Sequence, residues 1–306
     1  MSRTETVFIK LIIPDKKDTT TGRTIGSNFL QSLVTAKKYP NTIIIPEWNN
    51  MQFFSSIKFD IAPYIFDIPK VNNIIHINNN IFFNVDNKLE DWMRYCLNDY
   101  AGDKESLITL FTAGFPNVEN EILITELRKL YKNICPFKCN VDNYINNVIG
   151  TQNYISIYYR SSGVDAIRKI VTGDSNFIDN FINKIDIDSA EAIFVTSDDI
   201  DIIDYIKNKF TLPVHSLNFK REEKKYTKQD TIEYYQQTIK ELLVLSKGKK
   251  IYKPWSKFGT VSTILSELPY SKIHTINPEG WENFMSKVPE INNGPIQTFL
   301  KSSKIY

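Results

Sequence analysis

The sequence predicts an α/β fold in two halves, each a parallel sheet covered by helices. Three observations predict it. Short apolar runs recur along the chain, among them VFIKLIIP at 7–14, ISIYYR at 155–160 and EAIFVT at 191–196. Between them lie stretches whose apolar residues fall at helical spacing. Strands this short and apolar, separated by helices, call for parallel pairing with helices on both faces. Third, a helix near 141–148 ends at Gly150, a natural stop, and a new strand begins just beyond it.

The first half opens with strand 7–14, followed by a polar loop and a helix over 27–38. Phe29, Leu30, Leu33 and Val34 share one face of that helix. Pro40 and Pro46 punctuate a second strand at 41–46. Strands at 72–78 and 81–85 come next, then helices at 89–100, 106–112, 119–133 and 141–148. The second half alternates more regularly. Strand 153–159 leads to helices 164–171 and 175–184, strand 191–196 to helix 199–209, and strand 213–218 to a long helix at 229–246. Strand 249–253, helix 259–267, strand 272–276 and helix 279–287 complete it. The expected architecture is two Rossmann-like domains, 1–150 and 151–306, facing a central cleft.

Composition narrows the function. An apolar fraction of 42% and a charged fraction of 24% are those of a soluble globular protein. A net charge of +2 offers no electrostatic footprint for nucleic acid. No window approaches the ~20 apolar residues that span a bilayer. The N-terminal apolar run is too short for a secretory signal, so the expected location is the cytoplasm. Cys135-Pro-Phe-Lys-Cys139 could bind metal or form a disulfide. With no second pair and no nearby histidine, reduced and partly buried thiols are the expectation, for these and for Cys96. His76, His215 and His274 each lie in an apolar strand and read as hydrogen-bonded core histidines. HExxH, GxSxG and GxxxxGK[ST] are all absent, which argues against a zinc hydrolase, a Ser-His-Asp hydrolase and a P-loop enzyme.

Ligands of such sheets sit beyond the carboxyl ends of the strands. Arg160 ends an apolar strand there, and a guanidinium can grip a phosphate through two parallel hydrogen bonds. The plainer reading is a surface arginine or a partner for Asp165 or Asp198. Ser256-Lys-Phe-Gly-Thr260 precedes a helix, where exposed N–H groups and the helix dipole attract anions, or where Ser256 simply caps. Ser197-Asp-Asp-Ile-Asp201 has an Asp-x-Asp form that could hold a metal. Asp186-Ile-Asp188 repeats the form, and acids are ordinary in a first helical turn. A carboxylate at this strand end could instead accept hydrogen bonds from a ribose or a guanine edge. In the first half, Gly26 permits close backbone approach and Asn28 offers both donors and acceptors.

The order of these features resembles the fucosyltransferase superfamily of GT-B glycosyltransferases. Thr24-Ile-Gly-Ser-Asn-Phe-Leu-Gln31 and Ile43-Ile-Ile-Pro-Glu-Trp48 resemble that family's opening turn, helix and second strand. Tyr158-Tyr-Arg-Ser-Ser-Gly163 resembles its signature, a strand ending in His-x-Arg-Arg-x-Asp. Ile193-Phe-Val-Thr-Ser-Asp-Asp199 and Lys253-Pro-Trp-Ser-Lys-Phe-Gly-Thr260 resemble two later strand ends. Tyr158 stands for the histidine, Ser161 for the second arginine and Gly163 for the aspartate, while Arg160 is kept.

The resemblance implies a GT-B enzyme moving fucose, or another sugar, from a GDP-sugar to a glycan or other hydroxyl. The displacement would be inverting and metal-independent, with the GDP-sugar as co-substrate and no cofactor. Arg160 would hold the β-phosphate. Ser256, Phe258, Gly259 and Thr260 would contact the pyrophosphate, and Asp198 or Asp199 the nucleoside. Tyr158 would lie beside the donor, while Gly26 and Asn28 would line the acceptor side, residues 1–150. Glu47 and Asp60 are candidates for the base, and Trp48, Phe53 and Phe54 could stack on a sugar. Ser161 and Gly163 motivate an alternative, a nucleotide- or glycan-binding relative without catalysis. A GT-B enzyme using another nucleotide-sugar is a third reading.

Overall fold

The computed structural model describes residues 7–12, 29, 32–33, 36, 42–47, 59–70, 74–78, 121–161, 176–217, 227–254, 256–277 and 279. The expected elements at 81–85, 89–100, 106–112 and 164–171 lie outside them, as does helix 279–287 beyond its first residue. The first half forms a parallel three-stranded sheet in the order β2-β1-β3, with β1 Val7–Ile12, β2 Thr42–Glu47 and β3 Ile74–Asn78. Phe29, Ser32, Leu33 and Ala36 are helical and buried, which fits one face of the helix expected at 27–38. Among the described residues two helices follow, α1 Ala62–Ile65 and α2 Glu121–Tyr131. The sequence gives no periodic signal for α1, since four residues are too few to show one. A further turn, α3 Asp142–Tyr144, widens into a π-helical stretch over Ile145–Ile149. It closes at Gly150, whose φ of +78° is left-handed and suits glycine.

The second half is a five-stranded parallel sheet. Its strands are β4 Tyr154–Tyr159, β5 Ala192–Ser197, β6 Val214–His215, β7 Ile251–Lys253 and β8 Ile273–Thr275. They lie in the order β6-β5-β4-β7-β8. The described helices are α4 Phe177–Ile182, α5 Ile200–Lys207, α6 Lys228–Lys247 and α7 Lys257–Leu265. All six residues of β4 are buried, so both of its faces are covered. On one face Ile155, Ile157 and Tyr159 pack with Phe177 and Phe181 of α4 and Ile203 and Ile206 of α5. On the other, Tyr154 and Tyr158 pack with Phe194 of β5 and Val244 and Leu245 of α6. Alternate residues of one strand thus serve two helical layers, as the period of two requires.

The longest described helix, α6, starts at a capping box. Thr227 Oγ1 accepts from Asp230 N at 3.1 Å, and Thr227 N donates to Asp230 Oδ2 at 2.8 Å. It ties the sheets together. Ile232, Tyr235, Ile239 and Leu242 share a buried cluster with Ile44 and Ile45 of β2, Ile65 of α1, and Ile124 and Leu127 of α2. Val261 and Ile264 of α7 join the same cluster. The main apolar core therefore crosses residue 150.

The thiols match expectation where they are described. Cys135 and Cys139 are free. Burial pushes the Cys135 thiol up to about 11, and its Sγ donates to Asp67 O at 3.1 Å. The histidine reading needs correction for His274, whose Nε2 is buried without a hydrogen-bond partner among the described residues. Its ring stacks on Tyr252 instead, with centroids 4.6 Å apart. The side chain of His76 is not described, and His215 is half-buried on a two-residue strand.

Candidate functional site: the strand ends at the sheet reversal

Counting from β4, the strand order of the second sheet reads third, second, first, fourth, fifth. The chain therefore runs one way from β4 to β6 and then crosses back over to β7. At such a reversal, the loops leaving the two central strands turn to opposite faces and open a crevice at their carboxyl ends. Here the two strands are β4 and β7. Arg160 follows the first and the Ser256 turn follows the second.

Each loop is held by its own chemistry. The Arg160 side chain is about a quarter exposed, and its Nε lies 3.7 Å from Asp198 Oδ2. Of the plainer readings of Arg160, pairing with Asp198 is observed, while Asp165 lies outside the described residues. Ser161 fastens the β4 loop to the β5 loop, because its N–H donates to Asp198 Oδ1 at 2.8 Å and its hydroxyl to Asp199 Oδ2 at 3.1 Å. Asp199 also caps α5 by accepting from Asp201 N at 3.0 Å, and its own N–H donates to Ser197 Oγ at 3.2 Å. Both aspartates are thus engaged in holding the guanidinium and the helix start.

After β7 the helix begins two residues earlier than the sequence suggests. Ser256 is extended (φ −167°, ψ 155°) and accepts from Gly259 N at 2.9 Å, so it occupies the N-cap. Phe258, Gly259 and Thr260 consequently form the first turn of α7 rather than a preceding loop. Thr260 is fully buried and donates its hydroxyl to Ser256 O at 3.0 Å. The Phe258 ring lies 5.1 Å from the Tyr158 ring, which joins the end of β4 to the helix start. The first N–H groups of a helix have no partners within it, and together with the dipole they favour negative charge.

The structure therefore brings Tyr158, Arg160, Asp198, Asp199, Ser256, Phe258, Gly259 and Thr260 to one end of one sheet. Gly26, Asn28, Trp48, Phe53 and Phe54 lie outside the described residues. Glu47 ends β2, with its side chain undescribed. Asp60 accepts from Ala62 N at 2.9 Å and so works at the start of α1.

One residue escaped the sequence reading. Lys253, the last residue of β7, is fully buried beside this turn. The signal was present, because KKIYK ends an apolar run on a cation just as ISIYYR does. The two lysines that open the same run, Lys249 exposed and Lys250 partly buried, hid it.

No family model matches the chain, and no curated protein matches it. Solved structures do. The NodZ fucosyltransferase from Bradyrhizobium is 12% identical, with 86% of this chain and 94% of that chain covered, at a TM-score of 0.45. NodZ α-1,6-fucosyltransferase soaked with GDP-fucose gives 12% identity, 86% and 93% coverage, and a TM-score of 0.45. POFUT1 in complex with GDP gives 8% identity, 89% and 99% coverage, and a TM-score of 0.48. All three scores lie below 0.5, so the site is read from its own residues.

Proposed function

We propose that the chain is a GDP-sugar glycosyltransferase, transferring a sugar, fucose in the first instance, to a glycan or other hydroxyl acceptor. The observation that carries this is the reversal of strand order between β4 and β7, which sets Arg160 and the start of α7 at the same end of adjacent strands. The resemblance of the strand-end motifs to fucosyltransferases supports the choice of donor. In this reading residues 151–306 hold the donor and residues 1–150 face the acceptor.

The step is a displacement at the anomeric carbon. An acceptor hydroxyl attacks that carbon, the bond to the β-phosphate oxygen breaks, and the electron pair leaves on GDP. Charge grows on the diphosphate as the bond breaks, and stabilising that charge lowers the barrier. Arg160 meets it with a guanidinium, and α7 meets it with its first-turn N–H groups. These supply positive charge by themselves, so no metal is needed. The hydroxyl proton passes to a carboxylate, for which Glu47 is our candidate.

Arg160→Ala tests this. A charge-assisted hydrogen bond is worth about 1.5–3 kcal/mol, so donor turnover should fall by one to two orders of magnitude or more. The circular dichroism spectrum should stay unchanged. Normal turnover in that variant would end the proposal. Thermal-shift screening with GDP, UDP, ADP and CMP, with and without Mg²⁺, tests the donor, since a ligand of the native state raises Tm. A shift with UDP and metal alone would discard the GDP assignment. The engagement of Arg160 with Asp198 favours one second reading, a nucleotide-binding protein without transfer. That reading predicts GDP binding with no hydrolysis of any nucleotide-sugar.

A further inference from the structure

A cavity of about 550 Å³ lies between α6 and the first half, within the roughly 300–1,000 Å³ of small-molecule sites. One wall is α6, where Glu233, Gln236, Gln237 and Lys240 recur at helical spacing on one face. The other is α1 with the chain at 138–139, where Tyr64, Lys138 and Cys139 line it. Ile65 and Ile239, both buried, close its floor. Hydrogen bonds tie the walls together. Gln236 Nε2 donates to Tyr64 O at 3.2 Å, while Lys138 donates its N–H to Ile65 O at 2.8 Å and its Nζ to Pro63 O at 2.6 Å. The Tyr64 ring is held edge-on to Phe59, with centroids 6.2 Å apart. None of these residues belongs to the strand-end site.

The lining carries both signs of charge. An anion would meet the Glu233 carboxylate, and a cation the ammonium groups of Lys138 and Lys240. A wholly apolar molecule would strip water from these groups and return no hydrogen bonds. What fits is an uncharged ring with several hydroxyls, because each hydroxyl both donates and accepts. The carboxylate takes from it, the ammonium groups give to it, and the two glutamine amides do both. The C–H face of such a ring suits the apolar surface of Tyr64, Ile65 and Ile239. The geometry points to a saccharide-binding site here, apart from the strand ends, that takes neutral pyranose units of a glycan. It goes beyond sugar transfer, since a glycan held here needs no donor at Arg160.

An array of neutral and acidic glycans, probed with the full chain, tests it first. Neutral glycans should be retained; retention of none, or of sulfated and sialylated glycans alone, overturns the proposal. Calorimetry with a retained neutral oligosaccharide then locates the site. Glu233→Ala and Gln237→Ala each place the best helix former on α6, so the fold is kept and Tm should match the wild-type value. Each should weaken the oligosaccharide by about fivefold or more, the effect of one lost hydrogen bond. Unchanged affinity in both variants puts the sugar elsewhere and overturns the proposal, as does a loss that only follows a fall in Tm. GDP titration of the wild-type chain answers separately. No GDP binding ends the donor reading and leaves the saccharide site standing, whereas GDP binding with no glycan retained ends the saccharide site alone.

Discussion

His274 stacks flat against Tyr252, with 12° between the ring planes, and leaves its buried Nε2 without a partner among the described residues. Burial holds its pKa below the ordinary histidine value. Lys250 and Lys272 push the same way, and Asp186 opposes them. The folded protein therefore carries this imidazole neutral at a pH where the unfolded chain begins to protonate it, near ~6.5. The unfolded state binds the extra proton, so this contribution to stability is complete above ~6.5 and is lost as pH falls through the window below it. His215 is displaced in the same direction by burial and adds to the slope. Denaturant midpoints should thus fall between pH 7 and pH 5 in the wild-type chain. His274→Phe keeps an aromatic ring against Tyr252 but cannot titrate, so its midpoint should fall less over the same range. An identical slope in the variant would show that His274 carries none of the effect.

The same logic of partners governs the start of α7. Ser256 Oγ accepts the Gly259 N–H in a buried position, and Ser256→Ala leaves that donor unmet. The loss should be about 1 kcal/mol, the usual worth of a hydroxyl cap. A lower Tm and a weaker GDP affinity should appear together, because the cap fixes the turn that faces the diphosphate. Loss of stability with unchanged GDP affinity would separate the cap from the site. This helix also shows what could and could not be read from the sequence. The sequence signals it by Val261, Ile264, Leu265 and Leu268 at helical spacing, although Leu268 lies beyond its observed end at Leu265. Its start was legible as one of two readings of Ser256, a cap or an anion-binding turn, and the cap is what the structure shows; that a Cβ at Gly259 would meet the stem of Lys253 from another strand was not legible. Arg160 was legible as a cation closing an apolar strand. The sequence left Asp165 and Asp198 as partners for it; Asp198 Oδ2 lies 3.7 Å from its Nε, and Asp165 is outside the described residues. Strand order was not legible at all, since pairing is set by contacts distant in sequence, and that order is what makes the β4 and β7 loops neighbours.

At the scale of the molecule, the two sheets share more than a connecting chain. No described helix is long and apolar enough to cross a membrane, and the helix with the widest reach, α6, spends its apolar residues on joining the halves. Ile239 and Leu242 are fully buried in the cluster that contains Ile44 of β2 and Ile65 of α1. Arg128 of α2 adds a polar tie, its Nη2 donating to Thr263 O of α7 at 2.9 Å. A core shared in this way couples the stability of its two sides, whatever division near residue 150 the strand pattern suggests. Leu242→Ala removes a side chain from the middle of that cluster and should cost about 2–5 kcal/mol, the range for buried leucines. Because residues of both halves line the cavity, the whole protein should lose that stability together. Calorimetry should give one transition in the wild-type chain and one, at lower temperature, in Leu242→Ala. Backbone circular dichroism and tryptophan fluorescence should fall at the same midpoint. Two transitions, only one of them shifted by the substitution, would mean that the halves fold independently and that α6 belongs to one of them alone.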